Sequence, residues 1–144
     1  MVYKSEAAFS RALSSALKKQ GAIVTRIETG MTSQGVPDMF VQMNGGDVWL
    51  ELKNMPGIDD EAVVKRGSIK VAWRPGQQAW GINYWRMHAR KKCTYTVVAG
   101  KNTFYIITTN SVFPKNEVPV SSLLSCWCMA SLVCEIGKLA GGKS

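Results

Sequence analysis

Three ionisable residues stand close together in a stretch that otherwise reads as strand. Asp38 ends Gly35-Val36-Pro37-Asp38, and Glu51 and Lys53 fall in Val48-Trp49-Leu50-Glu51-Leu52-Lys53. Between them lies Asn44-Gly45-Gly46, and Asn-Gly flanked by apolar alternation is the strongest short hairpin signal. Alternate side chains of a strand share a face, so Glu51 and Lys53 point one way and Val48, Leu50 and Leu52 the other. A two-residue turn at Asn44-Gly45 pairs Met43 with Gly46 and sets Asp38 opposite Glu51. A turn at Gly45-Gly46 sets Asp38 opposite Lys53. Both registers gather Asp38, Glu51 and Lys53 on one face, whereas a three-residue loop would scatter them.

Two carboxylates on one face repel, and a divalent cation resolves the conflict. Oxygen ligands with water suit Mg²⁺, with Mn²⁺ able to substitute, and not Zn²⁺. Such an ion would polarise a phosphate oxygen and acidify a water, with Lys53 beside both. A lone E-x-K is more often a solvated surface pair, so the surrounding elements must carry the rest.

Those elements follow in order. Residues 4–20 read as a helix with Ser5 as N-cap and Gly21 as stop. Leu13 and Leu17 each fall within about 20° of Glu6 around it, which puts Glu6 on the apolar stripe. There it could reach a metal site or a nearby water, or simply favour the helix dipole. Residues 22–29 read as a strand and Gly30–Gly35 as a loop, whose Thr32, Ser33 and Gln34 could touch a phosphate. Asn54–Ser68 reads as irregular, its Asp59-Asp60-Glu61 as a solvated helix start, and Lys65, Arg66 and Lys70 as candidate phosphate contacts. Ile69–Trp73 reads as a strand, after which Arg74-Pro75-Gly76 opens a helix to about Lys92.

On that helix Gln77, Trp80, Tyr84 and His88 share a face. Gln77 could hold Lys53 or a phosphate, or be an ordinary first-turn residue. Arg86, Arg90, Lys91 and Lys92 crowd the helix end and, with Arg74 at its start, could follow a nucleic-acid backbone. Trp73, Trp80, Tyr84 and Trp85 read as core rather than as base-stacking residues. Residues 93–99 and 103–109 form a second hairpin, and 120–139 an apolar helix that is either buried or pairs with another subunit.

The sequence has 144 residues and 46% apolar content, enough for one domain with a real core, and residues 1–144 carry no evident linker or repeat. A net charge of +8 and a pI of about 9.5 point to an anionic partner, nucleic acid first. Cys93, Cys126, Cys128 and Cys134 lack zinc-finger spacing, the only His is His88, and no hydrophobic signal region opens the chain. The expectation is a cytoplasmic protein whose thiols are reduced core residues. The 120–139 run is too polar for a confident membrane span, and no membrane partner is expected.

Helix with Glu, strand, G-V-P-D, hairpin, E-L-K, strand, then R-P-G-Q opening a helix: this order resembles the PD-(D/E)XK nuclease superfamily. Over about residues 4–108 it is most similar to the VRR-NUC and Holliday-junction-resolvase-like nucleases of phages and microbes. The resemblance implies an α/β fold with a mixed central sheet flanked by helices, to which this chain adds a C-terminal helix at about 120–139. It implies Asp38, Glu51 and the backbone carbonyl of Leu52 as Mg²⁺ ligands, and Lys53 as the residue that orients the attacking water. Glu6 matches a helix Glu that assists the metal, and Gln77 a Gln at the start of the helix after the third core strand. The implied activity is DNA phosphodiester hydrolysis, first on branched DNA such as four-way junctions and by a homodimer. Cutting without junction selectivity, or DNA binding without catalysis, are the alternatives.

Overall fold

The computed structural model describes residues 2–27 and 34–141. Helix α1 spans Glu6–Lys19; Ser5 caps it, its Oγ accepting from the Ala8 N–H at 3.1 Å. Gly21, at φ +86°, ends the turn. Phe9, Leu13 and Leu17 form its buried stripe, while Glu6 is exposed, so the expectation of a carboxylate inside the apolar stripe is corrected: Glu6 sits at its outer end.

Strands β1 (Ile23–Arg26), β2 (Met39–Met43) and β3 (Gly46–Asn54) form an antiparallel meander. The β2–β3 turn uses Asn44 at φ +54° and Gly45 at φ +78°, both left-handed as a type I′ turn demands. Met43 pairs with Gly46 and Met39 with Leu50, the two-residue register. Strand β3 then runs parallel to β5 (Tyr95–Ala99), which pairs with β6 (Phe104–Thr108), and β6 pairs with a short β8 (Leu124–Cys126). The result is a mixed six-stranded sheet in the order β1-β2-β3-β5-β6-β8.

The crossover between β3 and β5 carries helix α2 (Asp60–Arg66), strand β4 (Ser68–Lys70) and helix α3 (Gln77–Met87). The acidic triplet is indeed a helix start, with Asp59 capping the N–H groups of Glu61 and Ala62. Two expectations fail here. The strand at 69–73 is shorter and does not join the central sheet; it pairs with β7 (Glu117–Pro119) in a two-stranded ribbon. The second helix stops at Met87, because Ala89 and Arg90 adopt φ +53° and +61°. Arg90, Lys91 and Lys92 therefore lie beyond it.

The two sheet faces pack differently. On one, α1 and helix α4 (Met129–Gly141) cover Met39, Val41, Val48, Leu50 and Leu52. On the other, Val98, Tyr105 and Ile107 pack with Val63, Ile69, Val71, Trp73 and Val118. The expected helix over 120–139 is half strand: Leu124–Cys126 extend the sheet edge and bury Cys126 against Phe104, and the helix begins only at Met129. Its apolar face, Leu132, Val133, Ile136 and Ala140, is buried within this chain rather than left for a subunit interface. Of the four thiols, all free, Cys126 is buried but Cys128 and Cys134 are exposed, against the expectation of core cysteines. Among the described residues no helix is long and apolar enough to cross a membrane.

Ile136, fully buried on α4, should cost about 3 kcal/mol of stability when replaced by Ala, measured by urea denaturation. Cys134→Ser, exposed on the same helix, should cost under about 0.5 kcal/mol. A near-neutral Ile136→Ala with a concentration-dependent molecular mass would reassign α4 to an interface.

Candidate active site

Continuing the β2–β3 register one pair past Met39 and Leu50 sets Asp38 opposite Glu51. Asp38 is fixed by its own strand partner, its Oδ2 accepting from the Leu52 N–H at 2.8 Å. Glu51 and Lys53, each 5% exposed, project from the interior strand β3 toward the α3 side, with Lys53 Nζ 3.3 Å from Glu51 Oε2.

Gln77 completes the set. Its Oε1 accepts from the Arg74 N–H at 2.8 Å, which leaves its Nε2 to donate to Glu51 Oε2, also at 2.8 Å. The sequence offered Lys53 or a phosphate as its partner; the structure gives it the carboxylate. The approach is set by two glycines. Gly35 and Gly76 both sit at φ +89°, and a Cβ on Gly35 would lie 2.4 Å from the Gly76 carbonyl oxygen. Only bare backbone lets the Gly35–Asp38 segment pass this close to the start of α3.

Both cationic and amide donors therefore fall on one oxygen of Glu51. The other, Oε1, is buried with no hydrogen-bond partner. A buried unpartnered carboxylate oxygen beside a second carboxylate is costly unless a cation or a shared proton satisfies both. Burial first, and then the charge of Asp38, push the Glu51 carboxyl up to about 8, with Lys53 opposing. Among the described residues no group of three or more His, Cys, Asp or Glu converges. The donor set is thus two carboxylates with nearby backbone oxygen, which suits a hard cation that keeps several waters and excludes a soft one.

Beside Asp38 opens a cleft of about 340 Å³ lined by Glu6, Ala7, Ser10, Arg26, Ile27, Asp38, Leu52 and Arg74. Partial burial and the charge of Asp38 raise the pKa of Glu6 there, while Lys53 and Arg74 oppose. The site therefore unites Asp38, Glu51, Lys53, Gln77, Glu6 and Arg74. Arg26, on the cleft wall, was not singled out from the sequence; no local motif marks it.

The other candidate phosphate contacts are dispersed. Gln34 is exposed beside Gly76, and Lys65, Arg66 and Lys70 are exposed around α2 and β4. Lys92 pairs with Asp47 near the opposite end of β3 from Lys53, so the Arg90–Lys92 cluster is not at the cleft. Arg86 is exposed on the last turn of α3. Ser33 lies outside the described residues.

Neither a family model nor a curated protein sequence matches this chain. The fold, however, is similar to that of Hjc, a Holliday junction resolvase from the archaeal hyperthermophile Archaeoglobus fulgidus. The two superpose with a TM-score of 0.54 at 14% identity, over 79% of this chain and 88% of that one. At this identity the likeness establishes the fold: a mixed α/β sheet flanked by helices, as the sequence led one to expect.

The folded protein holds the Glu51 proton more tightly than the unfolded chain does, because its pKa rises from 4.5 to about 8. In EDTA, stability should therefore fall as pH rises through that interval, and Glu51→Gln should flatten the decline. Mg²⁺ should raise the melting temperature, most at the upper end of the interval, where the cation no longer competes with a proton. A melting temperature indifferent to Mg²⁺ at every pH would mean that no cation binds here.

Proposed function

We propose that this chain is a Mg²⁺-dependent endodeoxyribonuclease that hydrolyses phosphodiester bonds in branched DNA, a nuclease of the PD-(D/E)XK type. The observation that carries the reading is Glu51 Oε1, buried and unpartnered beside Asp38, while Lys53 and Gln77 share Oε2. Asp38, Glu51 and the Leu52 carbonyl would hold the ion, with Glu6 acting through a water. When bound, the ion supplies positive charge to the phosphoryl group and acidifies the attacking water.

The remaining work falls to side chains already in place. Lys53 Nζ, oriented by Glu51, faces the developing negative charge and helps to position the nucleophilic water. Because Lys53 is buried, its charge acts in a low-dielectric setting and needs no reorganisation during reaction. Gln77 fixes the Glu51 carboxylate so that Oε1 stays turned to the ion. Arg74, exposed at the cleft rim, meets a flanking phosphate. The excess of cations, +8 over the chain, draws DNA in without reading its sequence.

Branched DNA is favoured by the fold's likeness to a junction resolvase and by a motif order that resembles that of resolvase-like nucleases. Resolution of a four-way junction needs two symmetric cuts, and a homodimer with two-fold symmetry would supply two such sites.

The decisive experiment compares a labelled four-way junction with a matched linear duplex, in Mg²⁺ or EDTA, using wild type and Asp38→Ala. Paired symmetric nicks in the junction alone are expected, lost in EDTA and in the variant. Lys53→Met should slow cutting by about 10²–10³-fold, the scale for losing one preorganised charge-stabilising group. Equal cutting of both DNAs would remove the junction selectivity. Binding without cutting under any divalent ion would overturn the nuclease.

A further inference from the structure

A line of aromatic rings leaves the candidate site on the same sheet face. Phe40 follows Asp38 by two residues and Trp49 precedes Glu51 by two, so each aromatic residue is one strand repeat, about 7 Å along the backbone, from its acidic one. The two rings are cross-strand partners with centroids 4.7 Å apart. From Trp49 the contacts pass to Trp80 at 5.5 Å, from Trp80 to Tyr84 at 5.5 Å, and from Tyr84 to His88 at 4.1 Å. The i, i+4, i+8 spacing on α3 keeps the last three on one stripe.

Core packing does not account for this line. The residues by which α3 is buried are Gln77 and Gly81, not its aromatics. Gly81 is pressed against Thr94 and Thr109, and that contact seats the helix. Trp73 shows what a core indole looks like in this protein. It is 7% exposed, stacks on Phe113 and donates its N–H to Thr96 Oγ1 at 2.9 Å. Phe40, Trp49, Trp80 and Tyr84 are only half-buried, and His88 is exposed, which corrects the reading of Trp80, Tyr84 and Trp85 as core.

The surrounding charge is mainly positive, and Asp47, on the same strand face as Trp49, is paired with Lys92. From residue 62 to 116 the chain has ten Lys or Arg and no Asp or Glu. Arg74 stands at the foot of the line, and Lys91 is exposed beyond its far end, while Arg86 is exposed on the other side of the last turn of α3. Arg90 lies 5.5 Å over the ring of Trp85. Half-exposed rings flanked by cations are the two parts of a single-strand site: π-faces for bases and cations for phosphates. A duplex fits the cations but hides its base faces in its own stack.

We propose that the Phe40–Trp49–Trp80–Tyr84–His88 line is a stacking platform for unpaired DNA bases, holding a strand displaced at a branch point beside the cut. Its role next to a cut rests on the nuclease reading above; the strand binding itself does not.

The test is fluorescence anisotropy in EDTA with labelled oligo(dT), an abasic strand of equal length, and a matched duplex. Wild type should bind oligo(dT) at least about tenfold more tightly than the abasic strand, the scale of one or two stacked bases. Trp80→Leu combined with Tyr84→Leu should abolish that difference and leave abasic binding unchanged, and Trp80→Phe should preserve it. Equal affinity of wild type for oligo(dT) and the abasic strand overturns the platform without recourse to any variant. So does equal loss of both ligands in the Leu variant. Junction cutting with no base dependence of strand binding removes the platform and keeps the nuclease. A base-dependent strand preference in a protein that cuts no DNA keeps the platform and removes the nuclease.

Discussion

The carboxylate of Glu51 is the constraint on which the rest of the structure depends. It sits on an interior strand, bonded to β2 on one side and β5 on the other, with almost no access to water. A charge there is expensive, and Asp38 beside it makes it more so. Lys53 and the Gln77 amide compensate one oxygen and leave the other without a hydrogen-bond partner. Exchange of Glu51 for a well-packed apolar residue would relieve the conflict. That the chain instead assembles three separate elements around it argues for chemistry rather than stability.

Those three elements are held by backbone, not by the ionisable side chains of the site. The I′ turn at Asn44-Gly45 fixes the hairpin register and hence the pairing of Asp38 with Glu51. The Leu52 N–H fixes Asp38. The contact between Gly35 and Gly76 brings the start of α3 against the hairpin, and the Arg74 N–H then turns Gln77 toward Glu51. The sheet divides the labour by face. Val48, Leu50 and Leu52 anchor β3 to α1 and α4, while Trp49, Glu51 and Lys53, one residue out of phase, face the α3 side.

Much of the site was legible because it is local. A period of two, one Asn-Gly turn and the spacing of Asp38, Glu51 and Lys53 suffice to place three groups on one face. Ser5 was readable as a helix cap, and Asp59-Asp60-Glu61 as a helix start, for the same reason, since such contacts span only two or three residues. Arg26, by contrast, reaches the cleft only because β1 is the outer partner of β2, and nothing around it in the chain announces that.

The sequence by itself thus determined the hairpin, its register, the acidic pair with its lysine, and the basic character of the surface. These depend on turn chemistry, side-chain alternation and net charge, which act within a few residues or do not depend on the fold at all. Only the tertiary structure decided which group Gln77 grips, which oxygen of Glu51 stays open, and where the aromatics stand. It also turned Leu124–Cys126 from helix to strand, because the free edge of β6 offered backbone partners that the apolar pattern could not reveal. The 129–141 helix became core for the same reason: its hydrophobic face meets α1 and β3, more than seventy residues away in sequence. Long-range contacts of this kind settle burial, and burial gives a carboxylate or an indole its chemical role.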